Sequence, residues 1–320
     1  MAVIFEPAMN DYSQKISDLF DSQFGEWPLA YDNYRQLENV MVRLITFPAY
    51  EIVVQYNPGR ITSSAASVDA GSIEARPCFL CEKNRPQQQR GMPYGDDYTI
   101  LINPFPIFNR HLTIVYREHQ PQRIKGNFIT MLGMAGALPG FVVFYNGPEC
   151  GASAPDHLHF QAGNRGFLPI EKDMDNPLLC YRQAEAGSLE LWLWKNYGRG
   201  IITIKGSDAE AMDSVFSAFL QRFAAIQPER PEPMLNILAY GTGEEWVVHI
   251  IPRRKHRPAC YFAEGDKRIL LSPASVDMGG VFITPRETDY KMISASEIEG
   301  ILSEVCLGDE EIVKLTTGLL

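Results

Sequence analysis

Five residues near the middle of the chain, His157-Leu158-His159-Phe160-Gln161, alternate polar and apolar side chains. A period of two marks a strand with one buried face, because successive side chains on a strand point to opposite sides. The pattern predicts that Leu158 and Phe160 enter a core while two histidines and a glutamine share the other face. A neutral imidazole is a nucleophile at physiological pH, and its two nitrogens are distinct. One can attack phosphorus while a backbone carbonyl holds the other. The run just before it, Asn146-Gly147-Pro148-Glu149-Cys150-Gly151-Ala152-Ser153-Ala154-Pro155-Asp156, offers backbone N–H groups and a hydroxyl where a phosphate oxygen would sit. The plain alternative is a half-buried polar strand with coincidental histidines. The glycine–serine approach and the terminal Gln161 count against it.

The rest of the chain sets bounds. At 320 residues it makes one large domain or two of ordinary size, and 45% hydrophobic with 21% charged residues is the balance of a soluble globular protein. No apolar stretch of about 18 residues exists, so no membrane span is expected. Residues 1–11 lack a basic region followed by an apolar core, so no secretory signal is expected and the location reads as cytoplasmic. A formal charge of −10 argues against binding nucleic acid, though not against a nucleotide, whose pocket needs only local basic groups. Arg253, Arg254, Lys255, His256 and Arg257 form the one dense basic run, equally readable as a solvated turn.

The coarse pattern is α+β. Residues 13–44 read as helical with a break at Trp27-Pro28, and Ile52–Tyr56 as a strand ending in the turn Asn57-Pro58-Gly59-Arg60. Residues 61–76 read as extended, followed by a tight knuckle, Arg76 to Pro86. Tyr98–Ile102 and His111–Tyr116 read as antiparallel strands, 123–138 as a helix, and Phe141–Tyr145 with Leu158–Ala162 as a second strand pair. A helix is expected from Ser207 to Ile226. A five-residue echo links Arg117-Glu118-His119-Gln120-Pro121 to Arg254-Lys255-His256-Arg257-Pro258. It suggests two related halves, each an antiparallel sheet with flanking helices: a catalytic half, 1–175, and a degenerate half, 176–320, without a His-x-His, that contributes substrate contacts.

Six cysteines in a chain this long do not make a disulfide scaffold, and only Cys78 and Cys81 are spaced as a pair. A Cys-x-x-Cys alone is a zinc knuckle, a redox pair or chance. Nothing nearby suggests the βαβ setting of a redox pair. Zinc in a structural site wants four ligands, and Cys78, Cys81, His111 and His157 would supply them. Such a site would also fix the strand bearing His159, so its role would be positional.

These residues resemble the histidine-triad superfamily, in the branch where the third histidine is a glutamine. Cys78-Phe79-Leu80-Cys81, Asn103-Pro104-Phe105-Pro106, His111, and Gly151-Ala152-Ser153 before His-x-His-x-Gln look like galactose-1-phosphate uridylyltransferases. That resemblance implies structural zinc on Cys78, Cys81, His111 and His157, a nucleophile at His159 and a phosphoryl-oxygen donor at Gln161. The wording is nearer still to GDP-hexose phosphorylases of the plant GDP-L-galactose type and their bacterial relatives. Gln55–Arg60, His111–Val115 through Pro121–Ile124, His157–Ala162, and Gly279–Arg286 through Asp289-Tyr290 carry it, from about residue 50 to 290. The Cys pair departs from the plant phosphorylase pattern. Diadenosine polyphosphate phosphorylases share His-x-His-x-Gln more loosely.

The resemblance implies a ping-pong nucleotidyl transfer through His159, with Gln161, Ser153 and the backbone around Gly151 as donors to the charged oxygens. A nucleoside-diphosphate sugar, GDP-hexose first, and phosphate are the expected partners. A dinucleoside polyphosphate or a hexose 1-phosphate uridylyl transfer is the enzymatic alternative. A non-catalytic zinc-stabilised nucleotide-binding module is the alternative of another class. Asn57, Arg60, Asn146 and Arg165 are candidate substrate contacts, with turn chemistry the other reading for both asparagines. His119 and His256 read as solvated loop residues, and His249 as a satisfied core histidine. The resemblance leaves a homodimer open.

Overall fold

The computed structural model describes residues 11–61 and 69–320. Its frame is a ten-stranded, wholly antiparallel sheet. The strands are β3 (Gly91–Tyr94), β4 (Tyr98–Ile102), β5 (His111–Tyr116), β6 (Phe141–Asn146), β7 (His159–Asn164), β8 (Cys180–Ala186), β9 (Leu189–Trp194), β10 (Ile202–Gly206), β11 (Leu235–Gly241) and β12 (Trp246–Pro252). A smaller sheet holds β1 (Met41–Thr46), β2 (Glu51–Tyr56) and β13 (Val281–Thr284), with β2 central.

The large sheet runs β3-β4-β5-β7-β6-β11-β12-β10-β9-β8. From either edge inward the order is the same: three strands of a meander, then the fifth, then the fourth. A helix precedes the fourth strand in both sets, Phe128–Ala137 in one and Ala209–Ile226 in the other. The two fourth strands, β6 and β11, pair at the middle. The five-residue sequence echo does not mark this recurrence, because Arg117–Pro121 follows β5, a third strand, whereas Arg254–Pro258 follows β12, a fifth strand. Matched by pairing register, Val247 stands where the first set has His159, and His249 where it has Gln161.

Alternation decides the packing. Leu112, Ile114, Leu158, Phe160 and Ala162 point to one face and are fully buried against the two helices. The helix Ala209–Ile226 starts where Asp208 accepts the N–H of Ala211, and it buries Met212, Val215, Phe216, Phe219, Leu220 and Phe223 at three- and four-residue spacing. Phe128 and Phe216 stack at 4.1 Å between the helices. The opposite face, with Phe144, Leu238 and Ile251, packs against the small sheet and the helix Ala295–Val305. No helix among the described residues is long and apolar enough to cross a membrane.

Three local readings change. The helical stretch ends at Asn39, after helices Asp11–Glu26 and Pro28–Gln36 and a 3-10 turn Leu37–Asn39, and β1 follows. Of the segment expected to be extended, residues 62–68 lie outside the described residues, and Ala70–Glu74 is a short helix capped by Asp69. The strand of the alternating run begins at His159, which leaves His157 in the bend before it.

Candidate active site

β7 lies between β5 and β6, and its pairing with β6 stops at Phe144↔Gln161. Past that point the strands part, and the fully buried Gln122 fills the gap. Its amide oxygen accepts the His159 N–H at 2.8 Å, while its NH₂ donates to the carbonyls of His159 (2.9 Å) and Asn146 (3.0 Å). Gln122 thus replaces a missing rung of the ladder and holds both strand ends open. Nothing in a loop glutamine advertises this role in sequence.

His159 sits at the parting and is 5% exposed. Its Nδ1–H donates to the carbonyl of His157 at 2.8 Å, which leaves Nε2 with the lone pair. Burial, aided by the neighbouring His157, pushes its pKa down to about 4, so the ring is neutral at physiological pH. Gln161, on the same face, has its amide oxygen 2.9 Å from His111 Nε2. His111 Nδ1 already accepts the N–H of Ile107 at 3.2 Å, so Nε2 is the protonated nitrogen and donates. That fixes the Gln161 amide with its NH₂ as the group left to donate. Asn146 repeats the device: its oxygen accepts from Asn236 Nδ2 (3.0 Å) and the N–H of Ser275 (2.8 Å).

Gln161, Asn146, Ser153, Gly151 and Arg60 line one cavity. Gly151 has a φ of +96°, and a Cβ there would come within 2.5 Å of the Cβ of Ala274, so only glycine fits the turn. Ser153 is placed by Arg76, whose Nη2 donates to its carbonyl at 3.0 Å. Asn57 faces inward, donating to the carbonyl of Pro106, 49 residues away, at 3.3 Å. The structure does not bring Arg165 to this cavity. Arg165 pairs with Glu171 at 2.8 Å, donates to the carbonyl of Gly241 and lies 3.9 Å over the Tyr240 ring, in a different depression. His256 and Arg257, by contrast, line the cavity.

A cluster of possible metal ligands forms beside the site, from Cys78, Cys81, His157 and His119, with all ligand atoms within 4.8 Å of one another. His111 is not a member. It opens β5, and the strand carries the chain roughly 16 Å before the end where the Cys pair lies. His119, in the loop beyond that end, takes the corner. Cys78 Sγ is 3.4 Å from His157 Nδ1, Cys81 Sγ is 3.3 Å from His119 Nδ1, and the two Nδ1 atoms are 3.3 Å apart. A zinc tetrahedron with bonds of about 2.0–2.3 Å has edges of roughly 3.3–3.8 Å, so the set fits. The second contacts fit as well. His157 Nε2–H donates to the carbonyl of Tyr116 at 2.7 Å, so its Nδ1 presents a bare lone pair, and Asp156 lies 3.8 Å from His119 Nε2. The knuckle is seated on β4 and β5 through Leu80, Leu101 and Val115.

The profile of a family described as "Domain of unknown function (DUF4922)" matches residues 19–164. The galactose-1-phosphate uridylyltransferase of Caldanaerobacter subterraneus subsp. tengcongensis is 25% identical over 215 residues, 61% of this chain and 38% of that protein. The Streptococcus salivarius enzyme of that name is 24% identical over 168 residues, 50% of this chain and 32% of its own length. This chain therefore spans only about a third to two fifths of those relatives. The fold is shared with yeast Ap4A phosphorylase Apa2, at a TM-score of 0.56 and 16% identity over 92% of this chain and 98% of that one. Its complex with Ap4A gives a TM-score of 0.59 and 15% identity over 88% and 97%. The chain thus resembles galactose-1-phosphate uridylyltransferases in sequence over part of its length and shares its fold with an Ap4A phosphorylase.

Proposed function

We propose that the chain is a nucleotidyltransferase of the phosphorylase type that works through a covalent nucleotidyl-His159. The observation that carries the reading is the His159 ring: buried, neutral, with Nδ1 tied to a carbonyl and Nε2 left as a lone pair, two residues along β7 from Gln161, which lines the cavity. Nε2 attacks the α-phosphorus of a nucleoside diphosphate compound, and the leaving group departs as a phosphate. A second phosphate then displaces the histidine. Gln161, Asn146 and Ser153 are the donors to the non-bridging oxygens. The two amides serve well because their oxygens are held, so their NH₂ groups need no reorganisation as charge builds. Cys78, Cys81, His119 and His157 would hold zinc. Bound there, the ion would fix the bend that carries the His157 carbonyl and so the His159 ring, a positional role. Residues 1–175 act as the catalytic half and 176–320 as the half that lacks a nucleophile.

A GDP-hexose is our first substrate, on the wording of the motifs. A dinucleoside polyphosphate is the second reading, favoured by the nearly full-length fold match to a protein described as an Ap4A phosphorylase. The test is incubation with α-³²P-labelled GDP-hexose, UDP-hexose and diadenosine tetraphosphate, followed by an alkaline quench. An acid-labile adduct that disappears in His159→Ala supports the reading, and the compound that labels fastest names the class. No adduct with any of them, or an adduct persisting in His159→Ala, overturns it.

A further inference from the structure

Beyond the knuckle, on the side away from His159, lies a second groove, of about 710 Å³. The strand register places it. Pro93, Thr99, Val115 and His159 stand in one row across β3, β4, β5 and β7. Pro93 and Thr99 line the groove, and Leu80 of the knuckle packs with Val115, which stands between Thr99 and His159. At about 4.8 Å per strand, Thr99 is two strands, roughly 10 Å, from the His159 backbone, and Pro93 is one strand further. The groove shares no lining residue with the cavity that Gln161 lines.

Four bases line this groove, Lys83, Arg85, Arg90 and Arg117, against one acid, Glu82. That is a local inversion in a chain with a formal charge of −10. Arg90 pairs with Glu26, whereas Lys83 and Arg117 have no acid partner among the described residues. Arg85 is the informative one. Its side chain is 10% exposed, and its Nε is buried with no acceptor among the described residues. The acid that faces it, Glu82, is 92% exposed and 3.8 Å from Nη2, beyond hydrogen-bond distance and screened by water. Burial pushes Arg85 below the usual guanidinium range, with Glu82 and Cys81 opposing. A guanidinium has five N–H donors and never gives up its charge, so one held this deep with a donor unmatched is costly until an anion meets it.

We propose that Lys83, Arg85, Arg90 and Arg117 form a binding site for an oligophosphate, separate from the candidate active site. The site goes beyond the nucleotidyl-transfer reading and does not rest on it. The remainder of the lining names the ligand class. It is glutamine, glycine, proline and threonine, with no aromatic ring and no large apolar side chain. Nothing there can stack on a base, so the groove has no means of recognising a nucleoside or a single-stranded nucleic acid. Nothing there can anchor an apolar peptide side chain either. Charge is what the groove offers. Guanidinium forks match the oxygens of phosphate. The bases come from three segments: the knuckle, the approach to β3 and the end of β5. Cations spread over three segments suit several linked phosphates better than one. Arg85 is the buried anchor, and Lys83, Arg90 and Arg117 are the exposed rim.

The test is titration calorimetry on the full chain, expressed with zinc, using two probes, inorganic triphosphate and inorganic phosphate. Triphosphate should bind at least about tenfold more tightly than phosphate, since it meets several cations at once. Arg85→Gln should weaken triphosphate by about tenfold or more, the scale of lost charge-assisted hydrogen bonds. Arg117→Gln, on the exposed rim, should weaken it by about two- to fivefold. Gln161→Ala, in the other cavity, should leave it unchanged. Melting curves and elemental analysis, before and after titration, establish that each variant is folded and carries the wild-type metal content. If Arg85→Gln fails either check, the double variant Lys83→Gln with Arg117→Gln carries the expectation, with a loss of about fivefold or more. No triphosphate binding by the wild type, equal affinity for the two probes, wild-type affinity in the groove variants, or an equal loss in Gln161→Ala overturns the site.

Discussion

Two histidines bracket β5 and have opposite tasks. His119, past its end, faces the Cys pair, whereas His111, at its start, holds the oxygen of Gln161. Protein expressed with zinc should therefore carry about one ion per chain in the wild type and in His111→Ala, and close to none in His119→Ala, by elemental analysis. Equal metal in both variants would reject the cluster. His111→Ala should instead cost turnover, about 10–100-fold, because the Gln161 amide loses its anchor. Removing the donor outright, Gln161→Ala, should cost about 10²–10³-fold in kcat. Initial-rate kinetics on the substrate found by adduct formation checks both, and turnover at the wild-type level in Gln161→Ala would remove it from the chemistry. The Cys pair and the alternating run are local patterns, so they are legible in the chain. The fourth corner is not local. Sequence reading chose the histidine that opens a strand over one in a polar loop, and only the length of β5 shows that the loop histidine is the one within reach.

At the scale of elements, the site depends on a turn and on two strands held apart. The turn 147–153 closes through Gly151, where the positive φ and the packing on Ala274 both exclude a side chain. Gly151→Ala should destabilise the fold by about 1–3 kcal/mol in urea unfolding and lower turnover as Ser153 shifts. A variant as stable and as active as the wild type would show that the turn is slack. The elements best read from sequence are those with a strong period or a strong stop. The helix Ala209–Ile226 has a cap and an apolar stripe, and the pairs β4–β5 and β6–β7 have turn residues between them. β1 was hidden because it is an edge strand with Val42 and Leu44 53% and 56% exposed, so its apolar residues do not report a core. The parting of β6 and β7 was hidden because Gln122, distant in sequence, supplies the bond partners where their ladder stops.

At the scale of the molecule, the recurrent strand order was invisible in the residues, since the second set keeps the hydrophobic plan and replaces the polar face. His249 shows what that replacement costs. It stands in β12 at the register position of Gln161 and is fully buried. Trp194 Nε1 donates to Thr203 Oγ1, so the Thr203 hydroxyl donates to His249 Nδ1 at 2.8 Å. Nε2 then carries the proton and has no partner among the described residues. Burial, with Arg165 adding to it, pushes His249 down to about 3; burial does the same to His111, helped by Arg60. Unfolded, each titrates near 6.5. Between those values the unfolded chain binds a proton at each histidine and the folded chain does not. Stability must therefore rise with pH across that window and fall as the solution is acidified below about 6.5. Each histidine contributes a slope of about 1.4 kcal/mol per pH unit once the unfolded state is protonated. His249→Gln removes one of them, so its stability should fall less steeply between pH 6 and pH 4.5, by about that slope, in urea unfolding followed by tryptophan fluorescence. The comparison is of slopes, so it holds even where the substitution changes stability at pH 7. An unchanged slope would mean that the buried ring accepts a proton in the folded state, and that the second half is more open to water around β12 than its packing implies.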